Sequence, residues 1–128
     1  MKKTLLKVEL ELEITDEDID NIMARALEGG VNHWCSKAQV VGDYLGEYAS
    51  EQISRGGKLN LYDGEDHLRY TLDKEKFMED LKKFIGSRGV GLFDKKYSGK
   101  LCIDTCLLDA DDADCIIQYA LFDEVFYS

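Results

Sequence analysis

The amino-acid sequence predicts a single α+β domain in which a small antiparallel sheet packs against three to four helices. Three observations support this prediction. The N-terminal segment alternates apolar and charged residues, two short alternating segments follow in the middle of the chain, and apolar residues recur at helical spacing between them. A chain of 128 residues has the size of one domain and can bury a core without a metal or disulfide. We therefore assign residues 1–128 to one domain.

The first predicted elements are a strand and a helix. Between residues 6 and 14, leucine, valine and isoleucine alternate with lysine and glutamate, which is typical of a strand with one charged face. Thr15 then offers a capping hydroxyl to a helix with acidic residues in its first turn and an apolar stripe. The pair Gly29 and Gly30 predicts the end of that helix.

The middle of the chain predicts a short helix, a hairpin and a longer helix. Residues 46–55 favour the short helix, and residues 58–63 and 67–72 alternate as two strands joined by a turn. Asp73 is placed to cap the longer helix, whose apolar stripe continues to Gly86.

The last third of the chain predicts a loop, a strand, a helix and a closing strand. Residues 87–99 contain three glycines and no periodicity, which favours a binding loop that acts as a lid. Residues 101–108 favour a strand, and Asp109 is placed to cap a helix. Residues 124–128 favour the C-terminal edge strand of the sheet.

Composition and charge limit the possible partners. No apolar run reaches the roughly 20 residues of a membrane span, and the charged N-terminal segment lacks the apolar centre of a signal peptide, so we expect a cytoplasmic protein without a membrane partner. The net charge of −10 opposes direct binding to nucleic acid. An anionic ligand would therefore need a local pocket of basic side chains.

The four cysteines are expected to be reduced thiols without a metal or other cofactor. Zinc ligation by His33, Cys35, Cys102 and Cys106 would need a spacing that the chain does not have. Cys35 and His33 could form a nucleophile and a base, but no motif supplies a third group. The aspartates of residues 109–114 lack the glycine of a calcium loop and fit a helix N-terminus better. We therefore expect no enzyme activity.

The segment Arg55–Gly56–Gly57–Lys58 raises the question of a phosphate site. A helix followed by two glycines and a strand is typical of a left-handed helix cap, whereas phosphate loops run from strand to glycines to helix. The flanking cations could still converge with others, and aromatic rings could stack on a base. The predicted ligand-binding residues are Trp34, Arg55, Gly56, Gly57, Lys58, Arg88, Phe93 and Lys95. Arg25, Arg69 and Lys96 are further candidate cations.

Two runs, residues 26–63 and 103–122, resemble a small family of phage and prophage proteins of clostridial and related Gram-positive bacteria. Within that set the chain is similar to the Thoeris anti-defence sponge proteins, which bind cyclic ADP-ribose isomers and in some cases cyclic oligonucleotides. The resemblance implies a small α+β oligomer with pockets between subunits, which sequesters a cyclic nucleotide immune signal in the infected host cell without catalysis.

A second function class is an acidic nucleic-acid mimic that binds a host defence protein, such as a nuclease or CRISPR effector. Its predicted contact surface comprises Glu9, Glu11, Glu13, Asp109, Asp111, Asp112 and Asp114. Solvated surface charge is the simpler interpretation of both acidic groups. For either class, the edges of the first and last predicted strands favour a homo-oligomer.

Overall fold

The computed structural model describes residues 2–7, 9, 11–88, 93–95 and 101–127, with residues 88 and 93–95 described by their backbone. Within these ranges the chain forms three α-helices, α1 (Asp16–Arg25), α2 (Lys74–Arg88) and α3 (Ala110–Phe122). The strands are β1 (Leu12–Glu13), β2 (Cys35–Val41), β3 (Lys58–Asp63), β4 (Arg69–Leu72), β5 (Phe93–Lys95) and β6 (Leu101–Ile103). The predicted α+β class is confirmed.

The strands form two small sheets. The central sheet is antiparallel with strand order β2-β3-β4, and Leu61 of β3 lies opposite Ala38 on one side and Tyr70 on the other. In the second sheet, β6 is parallel to β1 and antiparallel to β5. The predicted central hairpin is therefore confirmed, and the first strand belongs to a different sheet from the hairpin.

The two terminal strands differ from the prediction. Among the described residues of the N-terminal segment, the strand comprises Leu12–Glu13, while Leu5 and Leu6 are exposed and lie outside any described strand. The predicted C-terminal edge strand is wrong, because residues 124–127 are not extended along a sheet. The backbone N–H and carbonyl of Tyr127 are satisfied by a glutamine side chain instead, so this segment needs no neighbouring strand.

The predicted helix starts are confirmed by side-chain caps. The Thr15 hydroxyl accepts from the N–H of Asp18 at 3.1 Å, and the Asp18 carboxylate accepts from the N–H of Thr15 at 3.0 Å. Asp109 and Asp112 form the same reciprocal box at the start of α3. Asp73 accepts from the N–H of Lys76 at 2.8 Å at the start of α2. These bonds satisfy amides that a helix leaves unpaired at its first turn.

Glycines end the first helix and the segment before the hairpin. The turn Ala26–Gly30 after α1 is π-helical, and a Cβ at Gly30 would collide with the carbonyl oxygen of Ala110, so glycine lets α1 and α3 approach closely. The predicted helix over residues 46–55 is reduced to the 3₁₀ turn Ala49–Glu51. Gly56 ends this segment with a φ of 87°, which confirms the left-handed cap.

The core lies between the central sheet and the three helices. Each helix contributes fully buried apolar side chains, and β3 and β4 contribute leucines from one face. The members with at most 2% exposure include Ile19, Ile22, Met23, Leu59, Leu61, Leu72, Phe77, Leu81, Phe84, Ile116 and Ile117. Within the described ranges, no helix combines the length and apolar character that crossing a membrane requires.

The predicted loop of residues 87–99 begins later than expected. α2 continues past Gly86 to Arg88, and β5 occupies residues 93–95. Residues 89–92 and 96–100, which carry most of the predicted lid, lie outside the described residues.

Candidate functional site

A cleft of about 500 Å³ opens where the π-helical turn after α1, the start of α3 and the C-terminal residues meet. Its lining consists of Gly29, Gly30, His33, Asp111, Asp114, Cys115, Val125 and Tyr127. The volume falls in the range of small-molecule or side-chain binding sites. The lining combines two carboxylates with one imidazole, so the described charges favour a cationic or hydrogen-bond-donating guest over a phosphate.

Asp114 is the centre of the polar groups beneath this cleft. Its carboxylate accepts the indole N–H of Trp34 at 2.8 Å and the amide N–H₂ of Gln118 at 3.0 Å. The second oxygen lies 2.6 Å from Nε2 of His33, whose side chain is 41% exposed to the cleft. A buried carboxylate needs such donors, because an unsatisfied charge in the interior is strongly unfavourable.

Residues 123–127, which we call the C-terminal strap, cover the other side of Trp34. The ring of Tyr127 stacks on the indole with centroids 4.9 Å apart and planes 2° apart. Its N–H donates to Oε1 of Gln118 at 2.7 Å, and its carbonyl accepts from Nε2 of Gln118 at 3.0 Å. The Tyr127 hydroxyl donates to the Asp63 carboxylate at the end of β3. The strap therefore joins α3 to the central sheet.

The hydrogen bonds around Asp63 shift two pKa values. The Tyr127 hydroxyl, followed by the amide N–H groups of Asp66 and Glu65, lowers the pKa of Asp63. The same Asp63 carboxylate raises the pKa of Tyr127, because it stabilises the protonated hydroxyl. The pair thus favours an ionised carboxylate and a neutral phenol at neutral pH.

The predicted ligand-stacking residue Trp34 is a structural residue in this conformation. Its side chain is 6% exposed, Tyr127 covers one face, and Phe122 packs edge-on at 5.7 Å. A base could stack on this indole only after displacing the strap. The sequence pattern around Trp34 gave no indication of this, because its partners lie about 80 residues further along the chain.

The predicted cations whose side chains are described lie on separate elements. Arg25 donates to the carbonyl of Thr105 at 2.6 Å, and Arg55 lies 3.3 Å from the Glu51 carboxylate. Lys58 begins β3 and Arg69 begins β4, so they lie at opposite ends of the antiparallel hairpin.

Of the other predicted ligand-binding residues, two lie in a described turn, and the side chains of the rest are not described. Gly56 and Gly57 lie at the turn before β3, where Gly57 faces the side chain of Gln52. The side chains of Arg88, Phe93 and Lys95 lie outside the described residues, as does Lys96.

The predicted acidic contact surface is present in part. Glu9, Glu11, Glu13, Asp109 and Asp111 are exposed. Asp112 and Asp114 are buried, because one completes the α3 capping box and the other binds Trp34. Asp112 therefore does not belong to a surface that a partner could contact, whereas Asp114 lies in the wall of the cleft.

The cysteine nearest to His33 in sequence lacks the environment of a nucleophile. Burial raises the pKa of the Cys35 thiol, which donates to the carbonyl of Lys37 at 3.2 Å. Cys35 lines a separate groove with Leu27 and Ala49 rather than the cleft. None of the four cysteines forms a disulfide, and within the described ranges no three His, Cys, Asp or Glu side chains group closely enough to hold a metal.

Sequence reasoning missed Asp114, Gln118 and Tyr127 as a connected group. Asp114 and Gln118 are four residues apart on α3, within the same helix face as buried isoleucines and alanines. Two polar residues on an otherwise apolar helix face indicate a buried hydrogen-bond network. That signal was present in the sequence, although their partners were not identifiable from it.

Comparison of the chain with family models, with curated proteins and with solved structures found no match. The phage-family resemblance therefore stays a prediction, and the site is defined by the residues of this chain.

Proposed function

We propose that this protein acts by binding a basic protein partner through its acidic surface, without catalysis. The observation that carries the proposal is the cleft between the π-helical turn after α1 and the start of α3, whose lining contains the carboxylates of Asp111 and Asp114. Glu28 is exposed directly before Gly29 in the chain and lines a neighbouring groove with Leu27 and Tyr48. An arginine or lysine side chain of a partner would gain charge-assisted hydrogen bonds there, whereas a phosphate would meet repulsion.

The net charge suits a partner that normally binds nucleic acid. A chain with −10 charges is attracted over a long range to a basic groove, and this steering accelerates association at low salt. Together with the resemblance to phage proteins, this supports a host nuclease or CRISPR effector as the class of partner. The protein would then compete with nucleic acid for the groove.

The competing hypothesis, sequestration of a cyclic nucleotide, stays a prediction. Among the described cations, Arg25 and Arg55 already have oxygen partners within the chain. A phosphate pocket would therefore depend on Lys58, Arg88 and Lys95, or on residues brought together by two subunits. Calorimetry against cyclic ADP-ribose isomers and cyclic oligonucleotides tests it directly.

The proposal is tested by displacement of labelled duplex DNA from purified nucleases and CRISPR effectors, followed by fluorescence anisotropy. We expect the protein to displace DNA from at least one of them, with an affinity that falls steeply as salt rises. Asp111→Asn and Glu28→Gln should each weaken displacement several-fold. Glu79→Gln is the matched control, since Glu79 is exposed on α2 and does not line the cleft. Failure to displace DNA from any of them at low salt would contradict the proposal.

A further inference from the structure

The strand β2 forms an open edge of the central sheet. β3 pairs with one side of β2, and no described strand pairs with the other. We propose that the β2 edges of two copies of this chain pair antiparallel about a two-fold axis, which joins two three-stranded sheets into one of six strands. This surface is separate from the acidic cleft, so the inference does not depend on the proposed function.

The exposure of β2 supports pairing along this edge. Residues 36–39 are all exposed, so this stretch of β2 is accessible to a partner strand. With seven residues, β2 is also the longest described strand. A long edge with uncovered backbone groups is a template for another strand.

Apolar side chains extend the exposed edge beyond its C-terminal end. Val41, Tyr44, Leu45 and Tyr48 are 42%, 61%, 48% and 62% exposed. Four large apolar side chains within eight consecutive residues are more than the scattered exposure expected of a surface with no partner. Their burial between two copies would add apolar contact to the backbone hydrogen bonds of the strand pair.

The charge pattern favours a second copy of this chain as the partner of the β2 edge. Residues 35–48 carry Lys37, Asp43 and Glu47, a net charge of −1 within a chain of −10. Two such segments therefore meet with little of the repulsion that other acidic surfaces of this chain would cause. The basic residue lies near one end of the segment and the acidic residues near the other. Antiparallel pairing places the basic end of each copy beside the acidic end of its partner, as a self-complementary interface requires.

The register of β2 indicates where the pairing begins. A bulge between Cys35 and Lys37 breaks the regular ladder with β3, and such irregularities protect sheet edges from association. From Lys37 to Val41 each residue has a β3 partner in uninterrupted register. The inferred dimer therefore uses the regular half of β2 and the apolar residues that follow it.

The test is the molar mass of the full chain, measured by light scattering after size-exclusion chromatography from about 1 to 200 μM. We expect twice the chain mass of 14.6 kDa at the upper end of this range. Ala38→Glu and Leu45→Glu should each raise the dimer dissociation constant at least tenfold, because the first places like charges near the two-fold axis and the second puts a charge into the apolar contact. Leu107→Glu is the matched control, since Leu107 is 51% exposed on the 3₁₀ turn Thr105–Leu107, outside the central sheet.

A wild-type chain that stays monomeric throughout this range would overturn the inference, whatever else the edge binds. A dimer that Leu107→Glu weakens as much as Leu45→Glu would overturn it as well. Circular dichroism of each variant at a monomeric concentration separates loss of folding from loss of association.

Discussion

Replacing Asp114 by alanine should destabilise the fold far more than replacing its neighbour Asp111. The change removes the acceptor of the buried Trp34 N–H and of one Gln118 amide, while His33 is exposed enough to bond to water. Gln118 keeps the carbonyl of Tyr127 as a partner. Since an unsatisfied buried donor costs about 1–3 kcal/mol and a bond to a charged acceptor is stronger than average, we expect a loss of about 3 kcal/mol.

The expected shift in melting temperature follows from the chain length. With an unfolding entropy of about 2.1 cal/mol/K per residue, a chain of 128 residues loses about 11 °C for 3 kcal/mol. Urea unfolding followed by circular dichroism gives the free energy of unfolding, and calorimetry gives the melting temperature. Asp111→Ala, in the same cleft but exposed, should stay within about 1 kcal/mol of wild type. If Asp114→Ala costs no more than Asp111→Ala, the buried network does not stabilise the fold as argued.

Three further predictions concern pH, backbone conformation and the nucleotide hypothesis. The pKa of Asp63 is lower in the folded protein than in the unfolded chain. The ionised carboxylate therefore stabilises the fold fully above the ordinary carboxyl pKa of about 4, and this stabilisation is lost as the pH falls through the pKa of the folded state. Tyr127→Phe should therefore flatten the acid decline of the urea midpoint, and an unchanged decline would contradict the assignment. Gly56→Ala should lower the free energy of unfolding in urea by about 1 kcal/mol, because Gly56 has a positive φ. Gly86→Ala should raise it, because a Cβ at Gly86 would lie in open space within α2. Equal effects of the two substitutions would refute this reasoning. Arg88→Ala should weaken cyclic-nucleotide binding about tenfold by calorimetry if the sequestration hypothesis holds. If none of these nucleotides binds below about millimolar, that hypothesis is rejected.

Local features of the fold were predictable because their causes lie within a few residues. Thr15, Asp73 and Asp109 each cap the helix that follows, and capping depends on a side chain and an amide about three residues apart. The left-handed cap at Gly56 was predictable for the same reason. Alternation in residues 58–63 was enough to place β3.

Non-local features were not predictable from the same patterns. The alternation of residues 6–14 indicates a strand wherever a partner is available, but the described pairing with β6 involves two residues. The aspartates of α3 have similar sequence surroundings, yet Asp111 is exposed and Asp114 is buried against Trp34. That difference depends on how α3 packs on a residue 80 positions away, which local sequence does not specify.

The C-terminal strap also provides the protein with a built-in spectroscopic probe. Trp34 is the single tryptophan of the chain, and its indole touches both the strap, through Tyr127, and the buried carboxylate of Asp114. Release of residues 123–127 would remove the stacked ring and admit water to the indole, with a red-shifted emission as the result. Intrinsic fluorescence therefore reports the docking of the strap, separately from the unfolding of the core.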